Sequence, residues 1–327
     1  MKTKIILSIT VAITISTGCF AANSNIKLPS KILVKNLAQN PEGIEYDKND
    51  NTFLLSSLNA KPIIKIKSDG TYKAFTHGEK FPLSTAGLQI DYKNNRLLVA
   101  GFNGTELMDN DPKTKGASFL RIYDLKTGAL QKEINLSHLA PKASAYFAND
   151  IAVDDNGNVY VTDWYAQLIY KVTIDGKASI FWENNTSIKS GPNGIDFKDD
   201  YLLVSILTVN DKGLYDNFGL VKIPVSNPNN AKLVKIDDVQ YSGFDGMVIK
   251  PNADVVGVTN NQKTPGGNRL ITLRSSDDFK TAKVIKSKDI DASTTVAVTP
   301  NGKNFVINQD FTNNFKKDWN IQEVNLY

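Results

Sequence analysis

Residues 147–164, FANDIAVDDNGNVYVTDW, hold two short apolar strands separated by a polar turn that contains Asn-Gly. β-Branched and aromatic residues on both sides of such a turn are typical of a β-hairpin. The first strand contains the hexapeptide ANDIAV, and hexapeptides of the same pattern occur five more times along the chain. The six begin at Pro41, Thr85, Ala148, Pro192, Phe244 and Ser293. The chain is therefore predicted to contain six repeats of one structural unit.

Each hexapeptide is followed by a turn rich in Asp, Asn and Gly and then by a second apolar strand. Third strands follow in most units, for example PIIKIK, LIYKVT and RLITLR, and weaker fourth strands follow some of these. Six four-stranded units spaced about 44 to 63 residues apart predict an all-β fold, a six-bladed β-propeller. The last unit has only three strands, and KILVKN at residues 31–36 precedes the first unit without a partner. We expect this N-terminal strand to join the last blade and close the ring, which removes exposed sheet edges.

The first 21 residues are predicted to be a signal peptide rather than part of the fold. Lys2 and Lys4 precede the apolar run IILSITVAITI, which is too short to span a membrane. Small residues allow cleavage after Ala21, with cleavage after Ala22 as a nearly equal alternative. The chain is then exported, to a periplasm or to the medium, and its mature form has no cysteine. The alternative is lipoprotein processing, with an acylated Cys19 as the anchor.

Residues 22–327 are predicted to form a single propeller domain without a transmembrane segment. The chain is 41% hydrophobic and 22% charged, an ordinary globular composition. It has 38 Lys and Arg against 34 Asp and Glu, and no basic stripe with interleaved aromatic residues, so nucleic acid is not an expected partner. We expect a monomer that takes a small-molecule substrate.

One residue of each hexapeptide lies just before the inner strand, at the mouth of the central channel. Two of these residues are carboxylates, which would repel each other across the channel axis unless a cation lay between them. Oxygen ligands favour a hard cation. Because calcium accepts 6–8 oxygen ligands in flexible geometry, they favour calcium over magnesium. None of the six positions is His or Cys, which argues against zinc or copper. Another divalent cation remains possible. In ring order the residues are Glu42, Ala86, Asn149, Asn193, Asp245 and Thr294.

A purely structural interpretation of these positions remains open. Asn and Asp are common turn residues before a strand, because their side chains bond the neighbouring backbone. The argument for a site is that four carboxylate or amide side chains fall at the same phase of four repeats. Glu42, between Pro41 and Gly43, is the least turn-like of them, and Thr294 is expected to be a structural hydroxyl.

The phrases PEGIEY, FANDIAVDDNGNVYVTDW, GPNGIDF and FDGMVI resemble the senescence-marker-protein-30/gluconolactonase superfamily of propellers, and the resemblance covers about residues 31–327. It implies a catalytic divalent metal, usually calcium, and hydrolysis of lactones or of related esters and phosphoesters. The ligands that it implies are Glu42, Asn149, Asn193 and Asp245.

The resemblance also suggests roles in catalysis or substrate binding for three side chains. Asp245 is the first choice as general base, because the family places base or nucleophile chemistry on this carboxylate. Phe147 stands where sugar-lactonase members often carry an arginine, which implies a less polar lactone or ester as substrate. His138 is the one histidine near the place where the paraoxonase-like branch carries a proposed base.

Two other classes of function were compared with a metal-dependent hydrolase. A serine hydrolase is not indicated, because the chain has neither a Gly-x-Ser-x-Gly motif nor a Ser-His-Asp order to propose. The competing interpretation is a non-catalytic exported propeller that binds a ligand or acts as a scaffold and uses calcium structurally. The same ligand set would serve both, so only turnover separates them.

Overall fold

The computed structural model describes residues 28–37, 40–103, 116–210, 215–259, 268–308 and 318–326. Within these ranges the chain forms strands β1 to β24, together with the single 3₁₀ turns Ser137–Leu139 and Pro228–Asn230. No helix in the described ranges is long and apolar enough to span a membrane. The predicted signal peptide, residues 1–21, and Cys19 lie outside these ranges.

The strands form six antiparallel sheets of four strands each, and each sheet is one blade. Blade one contains β2 (Pro41–Asp47), β3 (Thr52–Ser57), β4 (Ile64–Ile66) and β5 (Tyr72–Ala74). Blade two contains β6 (Ser84–Asp91), β7 (Arg96–Asn103), β8 (Ala117–Asp124) and β9 (Leu130–Asn135). Blade three contains β10 (Ala148–Val153), β11 (Val159–Asp163), β12 (Leu168–Val172) and β13 (Ala178–Glu183).

The second half of the ring repeats this arrangement. Blade four contains β14 (Gly191–Lys198), β15 (Tyr201–Val209), β16 (Tyr215–Pro224) and β17 (Lys232–Val234). Blade five contains β18 (Met247–Ile249), β19 (Val255–Thr259), β20 (Arg269–Arg274) and β21 (Lys283–Asp289). Blade six contains β22 (Val296–Val298), β23 (Asn304–Ile307), β24 (Trp319–Glu323) and, as its outer strand, β1 (Lys31–Val34).

The ring is closed by the N-terminal strand, as the sequence predicts. β1 pairs with β24 in antiparallel register, with Val34 opposite Trp319. The indole of Trp319, which is 2% exposed, donates to the carbonyl oxygen of Leu37 at 3.1 Å. The prediction of six four-stranded blades closed in this way is confirmed.

The inner strands are irregular at the positions that begin each repeat. In blades one to four the register of the inner strand shifts there, between Ala148 and Ile151 in blade three for example. In blades five and six the inner strand begins only after that position, at Met247 and Val296. A bulge re-aims a side chain that a regular ladder would direct elsewhere. In every blade, the residue at this position therefore lies outside the regular pairing of the inner strand.

Apolar side chains fill the space between neighbouring blades. Phe53 of blade one packs against Phe305 of blade six, with ring centroids 5.2 Å apart. Between blades three and four, Tyr160, Ile195 and Leu202 belong to one buried cluster. Each such side chain stabilises the fold by about 1.5–3 kcal/mol on burial. This packing fixes the angles between the blades and so the spacing of the inner strands around the channel.

Candidate functional site

The four predicted metal ligands are buried where the inner strands begin. Glu42 and Asp245 are 7% exposed, Asn149 is 5% exposed and Asn193 is 4% exposed. The structure brings Glu42, Asn149 and Asp245 together around a cavity of about 20 Å³. A cavity of this size has room for about one water molecule or one monatomic ion. Asn193 is not among the residues that line it.

Asn193 carries a polar atom that the protein leaves unsatisfied. Its side-chain oxygen, Oδ1, is buried and has no hydrogen-bond partner in the described part of the chain. Buried polar atoms are nearly always paired in native proteins, so an orphaned oxygen requires an explanation, of which an ion is one. An amide oxygen is a ligand that calcium accepts. The donor set therefore fits a hard cation.

The electrostatics of the cavity also favour a cation. Burial raises the pKa of Glu42 well above its ordinary value, and the nearby carboxylates of Asp245 and then Asp150 raise it further. A positive charge between Glu42 and Asp245 would remove this repulsion. In the described ranges no cluster of three or more His, Cys, Asp or Glu side chains could hold a metal. The candidate ligands are instead two carboxylates and two amides, and Asp150 is a third carboxylate on the cavity wall.

Buried hydroxyl groups hold the backbone beside the ring residues, the six residues at the mouth of the channel. These are Glu42, Ala86, Asn149, Asn193, Asp245 and Thr294. Ser56 accepts from the N–H of Gly43, which follows Glu42, and Ser205 accepts from the N–H of Phe244, which precedes Asp245. The hydroxyls that make such contacts, all 2% exposed or less, belong to Ser56, Ser118, Thr162, Ser205 and Thr294.

Thr162 and Thr294 connect different blades through these contacts. The Thr162 hydroxyl accepts from the N–H of Asp150 at 2.9 Å and donates to the carbonyl oxygen of Asn193 at 2.9 Å. The Thr294 hydroxyl donates to the carbonyl oxygen of Glu42 and so connects blades six and one, and Thr294 also lines the small cavity. Sequence reasoning missed the other hydroxyls. The available signal was a small hydroxyl residue inside an apolar strand, as in TFLLSS and YLLVSI.

An aromatic cluster lies next to Asn149. The ring of Phe147 stacks on Phe102 with centroids 3.8 Å apart and meets Trp164 and Tyr165 edge-on at 5.9 and 5.6 Å. Phe147 also packs against the buried cluster that contains Ala86, the ring residue of blade two. Tyr165 is 45% exposed. The blade-two side of the ring is therefore apolar, while the four oxygen-bearing candidates belong to blades one, three, four and five.

His138 does not join the candidate centre. It is exposed, in the 3₁₀ turn Ser137–Leu139, and it does not line the central cavity. Leu136 and Ser137, just before it, are buried and hold this turn against blade two. The structure thus separates His138 from Glu42, Asn149 and Asp245.

Sequence reasoning missed three further carboxylates on the inner strands, one of which, Asp150, also lines the small cavity beside Asn149. Glu45, Asp150 and Asp196 line a wider cavity of about 380 Å³. Asp150 accepts from the N–H of Ile195 in blade four at 3.3 Å, and Asp196 accepts from the N–H of Ile249 in blade five at 2.6 Å. These two side chains therefore connect the inner strands of successive blades.

The same three groups have raised pKa values. Burial raises the pKa of Glu45 to about 8, with further contributions from the charges of Asp150 and Asp196. Burial raises the pKa of Asp150 to about 8, and that of Asp196 to about 6, against the opposing effect of their backbone hydrogen bonds. The channel thus carries a strong negative potential whenever these groups are ionised.

Comparison with known proteins agrees with this architecture. A family model described as a β-propeller repeat matches residues 142–162. No curated protein matches the sequence significantly. Among solved structures, the major allergen Mala s 1 of Malassezia sympodialis is similar with a TM-score of 0.70, 21% identity, and coverage of 91% of this chain and 97% of that one.

Two further solved structures share the fold. The gluconolactonase XC5397 of Xanthomonas campestris is similar with a TM-score of 0.57 and 13% identity, covering 91% of each chain. The calcium-binding protein regucalcin of Agrobacterium tumefaciens is similar with a TM-score of 0.55 and 16% identity, covering 90% of this chain and 92% of that one. At such identities the likeness establishes the fold alone, and function depends on the site itself.

Proposed function

We propose that this chain is a hydrolase of lactones or related esters that depends on a divalent cation, calcium, in its central channel. Glu42, Asn149, Asn193 and Asp245 supply the ligand oxygens. The observation that carries the proposal is the burial of Glu42, Asn149 and Asp245 around one small cavity, together with a buried Asn193 whose side-chain oxygen has no hydrogen-bond partner in the described part of the chain. The fold that the chain shares with a gluconolactonase and with a calcium-binding protein supports it.

The chemistry divides between the cation and the protein. When bound, calcium would supply a positive charge that polarises the carbonyl group of the substrate. Asp245 accepts the proton of the attacking water at its carboxylate as the new C–O bond forms, and returns it to the alkoxide when the ester bond breaks. A carboxylate beside a cation is a weak base, so its closeness to the water must compensate. The N–H of Asp245 donates to the carbonyl oxygen of Val258 at 2.8 Å, which fixes this segment.

The aromatic cluster beside Asn149 supports a substrate of low polarity. Phe147 brings no charge and no hydrogen-bond donor in its side chain, and its neighbours Phe102, Trp164 and Tyr165 are aromatic as well. Flat or extended apolar groups gain from contact with such rings. We therefore assign Phe147 to substrate binding and favour less polar lactones or esters over sugar lactones.

A second candidate function is a non-catalytic, ligand-binding or scaffold propeller with a structural calcium. Two observations favour it. The cavity is small, and all four candidate ligands are less than 10% exposed. An ion in such a place would stabilise the ring whether or not a substrate reached it. Metal binding without turnover would identify this case.

Export is part of the proposal. Residues 1–21 have the charged and apolar regions of a signal peptide, and Ala21 precedes the expected cleavage point. The intact mass of the protein isolated from the periplasm or the medium would test this. A mass that corresponds to a chain beginning at Ala22 supports cleavage after Ala21. A mass that corresponds to a chain beginning at an acylated Cys19 supports the lipoprotein alternative.

The decisive experiment is hydrolysis of a substrate panel by purified mature protein. The panel contains an aromatic lactone, an aliphatic lactone, a sugar lactone and an aryl phosphotriester, each assayed with calcium, with chelator and with Asp245→Ala. Turnover that requires the metal and is lost in the variant supports the enzyme. Calcium binding with no turnover of any substrate supports the scaffold, and the absence of any metal effect overturns both.

A further inference from the structure

A buried carboxylate is hydrogen-bonded to the chain segments that carry the aromatic cluster, and it has no role in the proposed hydrolysis. Asp163 ends β11 and is fully buried, at 0% exposure. Its Oδ1 accepts from the backbone N–H groups of Phe147 at 2.8 Å and Ala166 at 3.0 Å. Its Oδ2 accepts from the hydroxyls of Ser118 at 2.9 Å and Tyr170 at 3.4 Å. All four donors are uncharged, so the carboxylate is held by hydrogen bonds alone.

The first group of these contacts fixes the chain just before Asn149. Asp163 binds the N–H of Phe147 directly, and the Ser118 hydroxyl that donates to Asp163 also accepts from the N–H of Ala148 at 2.9 Å. The bulge of β10 begins at Ala148. A bulge has no ladder partner to hold it, so side-chain contacts decide where the next side chain points. Asn149 is that side chain.

The second group of contacts fixes the aromatic cluster. The N–H of Ala166 belongs to the turn that carries Trp164 and Tyr165, and both rings pack against Phe147. The N–H of Trp164 in turn donates to the carbonyl oxygen of Phe147 at 2.9 Å. One carboxylate thus holds both chain segments that meet beside Asn149.

Among blades one to four, where the inner strand is paired at this position, only blade three has a carboxylate there. In the register of each sheet, Asp163 lies opposite Ala148, the residue before Asn149. The residues at the same place in blades one, two and four, opposite Pro41, Thr85 and Pro192, are Ser57, Gly101 and Ile206. A repeat that needed an acid here for the fold alone would show one in other blades as well.

We propose that Asp163, acting with Ser118, is a positioning residue that sets the amide of Asn149 for the cation and the ring of Phe147 for the substrate. The inference rests on the proposed function, since it takes Asn149 as a cation ligand. Residues that hydrogen-bond metal ligands typically change metal affinity by about 10- to 100-fold when they are replaced, and Asp163 acts on the backbone next to such a ligand. Asp163 is therefore expected to control calcium affinity without touching the ion.

The test compares Asp163→Asn with a matched variant in the same blade. Asp154 is 6% exposed and accepts from the N–H groups of Asn156 and Asn158 and from the hydroxyl of Tyr160, but it holds the hairpin turn at the opposite end of β11. Asp154→Asn therefore reproduces the loss of a buried carboxylate away from Asn149. Ser118→Ala removes the two hydrogen bonds that the Ser118 hydroxyl makes, to Ala148 and to Asp163, but leaves the carboxylate in place, and is the milder second variant.

Calcium affinity is measured by titration calorimetry and stability by thermal unfolding in chelator. We expect both Asp→Asn variants to lower the melting temperature, whereas only Asp163→Asn and Ser118→Ala weaken calcium binding, by about 10-fold or more for Asp163→Asn. Equal calcium affinity in Asp163→Asn and Asp154→Asn would overturn the inference, because Asp163 would then be structural only. Failure of the unmodified protein to bind calcium would overturn the proposed function itself, and the inference with it.

Discussion

Gly194 lies so close to Asp245 that a methyl group on it would be 2.3 Å from the carbonyl oxygen of Asp245. Gly194 follows Asn193, so the absence of a side chain sets the spacing of the amide and carboxylate candidates on blades four and five. Blades one and two repeat the arrangement, since a methyl group on Gly43 would lie 2.4 Å from the carbonyl oxygen of Ala86. Glycine after Glu42 and after Asn193 therefore allows the inner strands of these neighbouring blades to approach each other closely.

Gly194→Ala is expected to push the inner strands of blades four and five apart. Overpacking of this kind costs about 1–3 kcal/mol of stability, and calcium affinity should fall because Asn193 and Asp245 separate. Gly101→Ala is the control, because the nearest atom to its new methyl group would be the flexible Cδ1 of Leu83, at 3.1 Å. Thermal unfolding and calcium titration of both variants test this, and equal behaviour of the two would contradict it.

Asn193→Leu distinguishes a role of Asn193 in folding from a role in cation binding. Because Oδ1 of Asn193 is buried without a partner, its replacement by an apolar side chain of similar size should leave stability in chelator unchanged or higher. In saturating calcium the unmodified protein should gain about 2.7 kcal/mol at 100 times its dissociation constant, and the variant should lose most of this gain.

The control for that experiment is Asn304→Leu. Asn304 also has a buried Oδ1 without a partner, but it donates to the carbonyl oxygen of Val324 in blade six and does not line the cavity of Glu42. Its variant should lose stability in chelator and keep the full stabilisation by calcium. A normal calcium response in Asn193→Leu, measured by differential scanning calorimetry, would remove Asn193 from the ligand set.

Much of the fold could be predicted because each repeat carries its own local pattern. Hexapeptide, turn and second strand are adjacent in sequence, and six copies in phase leave few alternatives to a closed ring. The same phase brought Glu42, Asn149 and Asp245 into one set before the structure showed their common cavity. Strand β1 was predictable for a related reason, since a three-stranded last blade needs a partner.

The supporting contacts could not be predicted, because they join residues that are distant in sequence. Ser118 and Asp163 are 45 positions apart, as are Asp150 and Ile195, and no local pattern announces either pair. The motif VTDW contains Asp163, but its letters alone fit a turn residue equally well. Residue types are visible in a sequence, whereas the pairing of buried groups follows from the packing of blades.

Phe147→Arg tests the preference for less polar substrates. A guanidinium in place of the ring would stack less favourably with Phe102 and would offer donors to a hydroxylated substrate. We expect kcat/KM for an aryl ester or aromatic lactone to fall by about 10-fold or more, since a lost aromatic contact costs about 0.5–1.5 kcal/mol beyond its area, and that for a sugar lactone to hold or rise.

Phe147→Leu is the matched control, because it keeps an apolar side chain and removes only the ring. Its sugar-lactone activity should not rise, whereas its aryl-ester activity should fall less than in Phe147→Arg. A uniform loss on all substrates in Phe147→Arg, with calcium affinity unchanged, would contradict a role in selectivity. Steady-state kinetics on the four-substrate panel provide the comparison.

The pH dependence of stability should reveal the carboxylates farther along the channel. The pKa of Glu45 rises from its ordinary 4.5 to about 8, first through burial and then through the charges of Asp150 and Asp196. A carboxyl group whose pKa is raised by folding stabilises the native state in its protonated form. This contribution is fully present below about pH 4.5 and is lost as the pH rises to about 8. The metal-free protein should therefore lose stability across that window.

Glu45→Gln removes the titrating group and keeps its shape, so it should flatten this part of the profile. One pKa unit corresponds to about 1.4 kcal/mol, and solvent reduces the effect at a partly exposed side chain, so we expect a gain of about 1–3 kcal/mol at pH 8.5 and little change at pH 4.5. Glu183→Gln, at an exposed position on β13, should alter neither value. Urea unfolding of the three proteins in chelator at both pH values measures these differences. A gain of the same size at both pH values would contradict a raised pKa for Glu45, because an effect of Glu45→Gln that does not depend on pH means that folding leaves the protonation of this group unchanged.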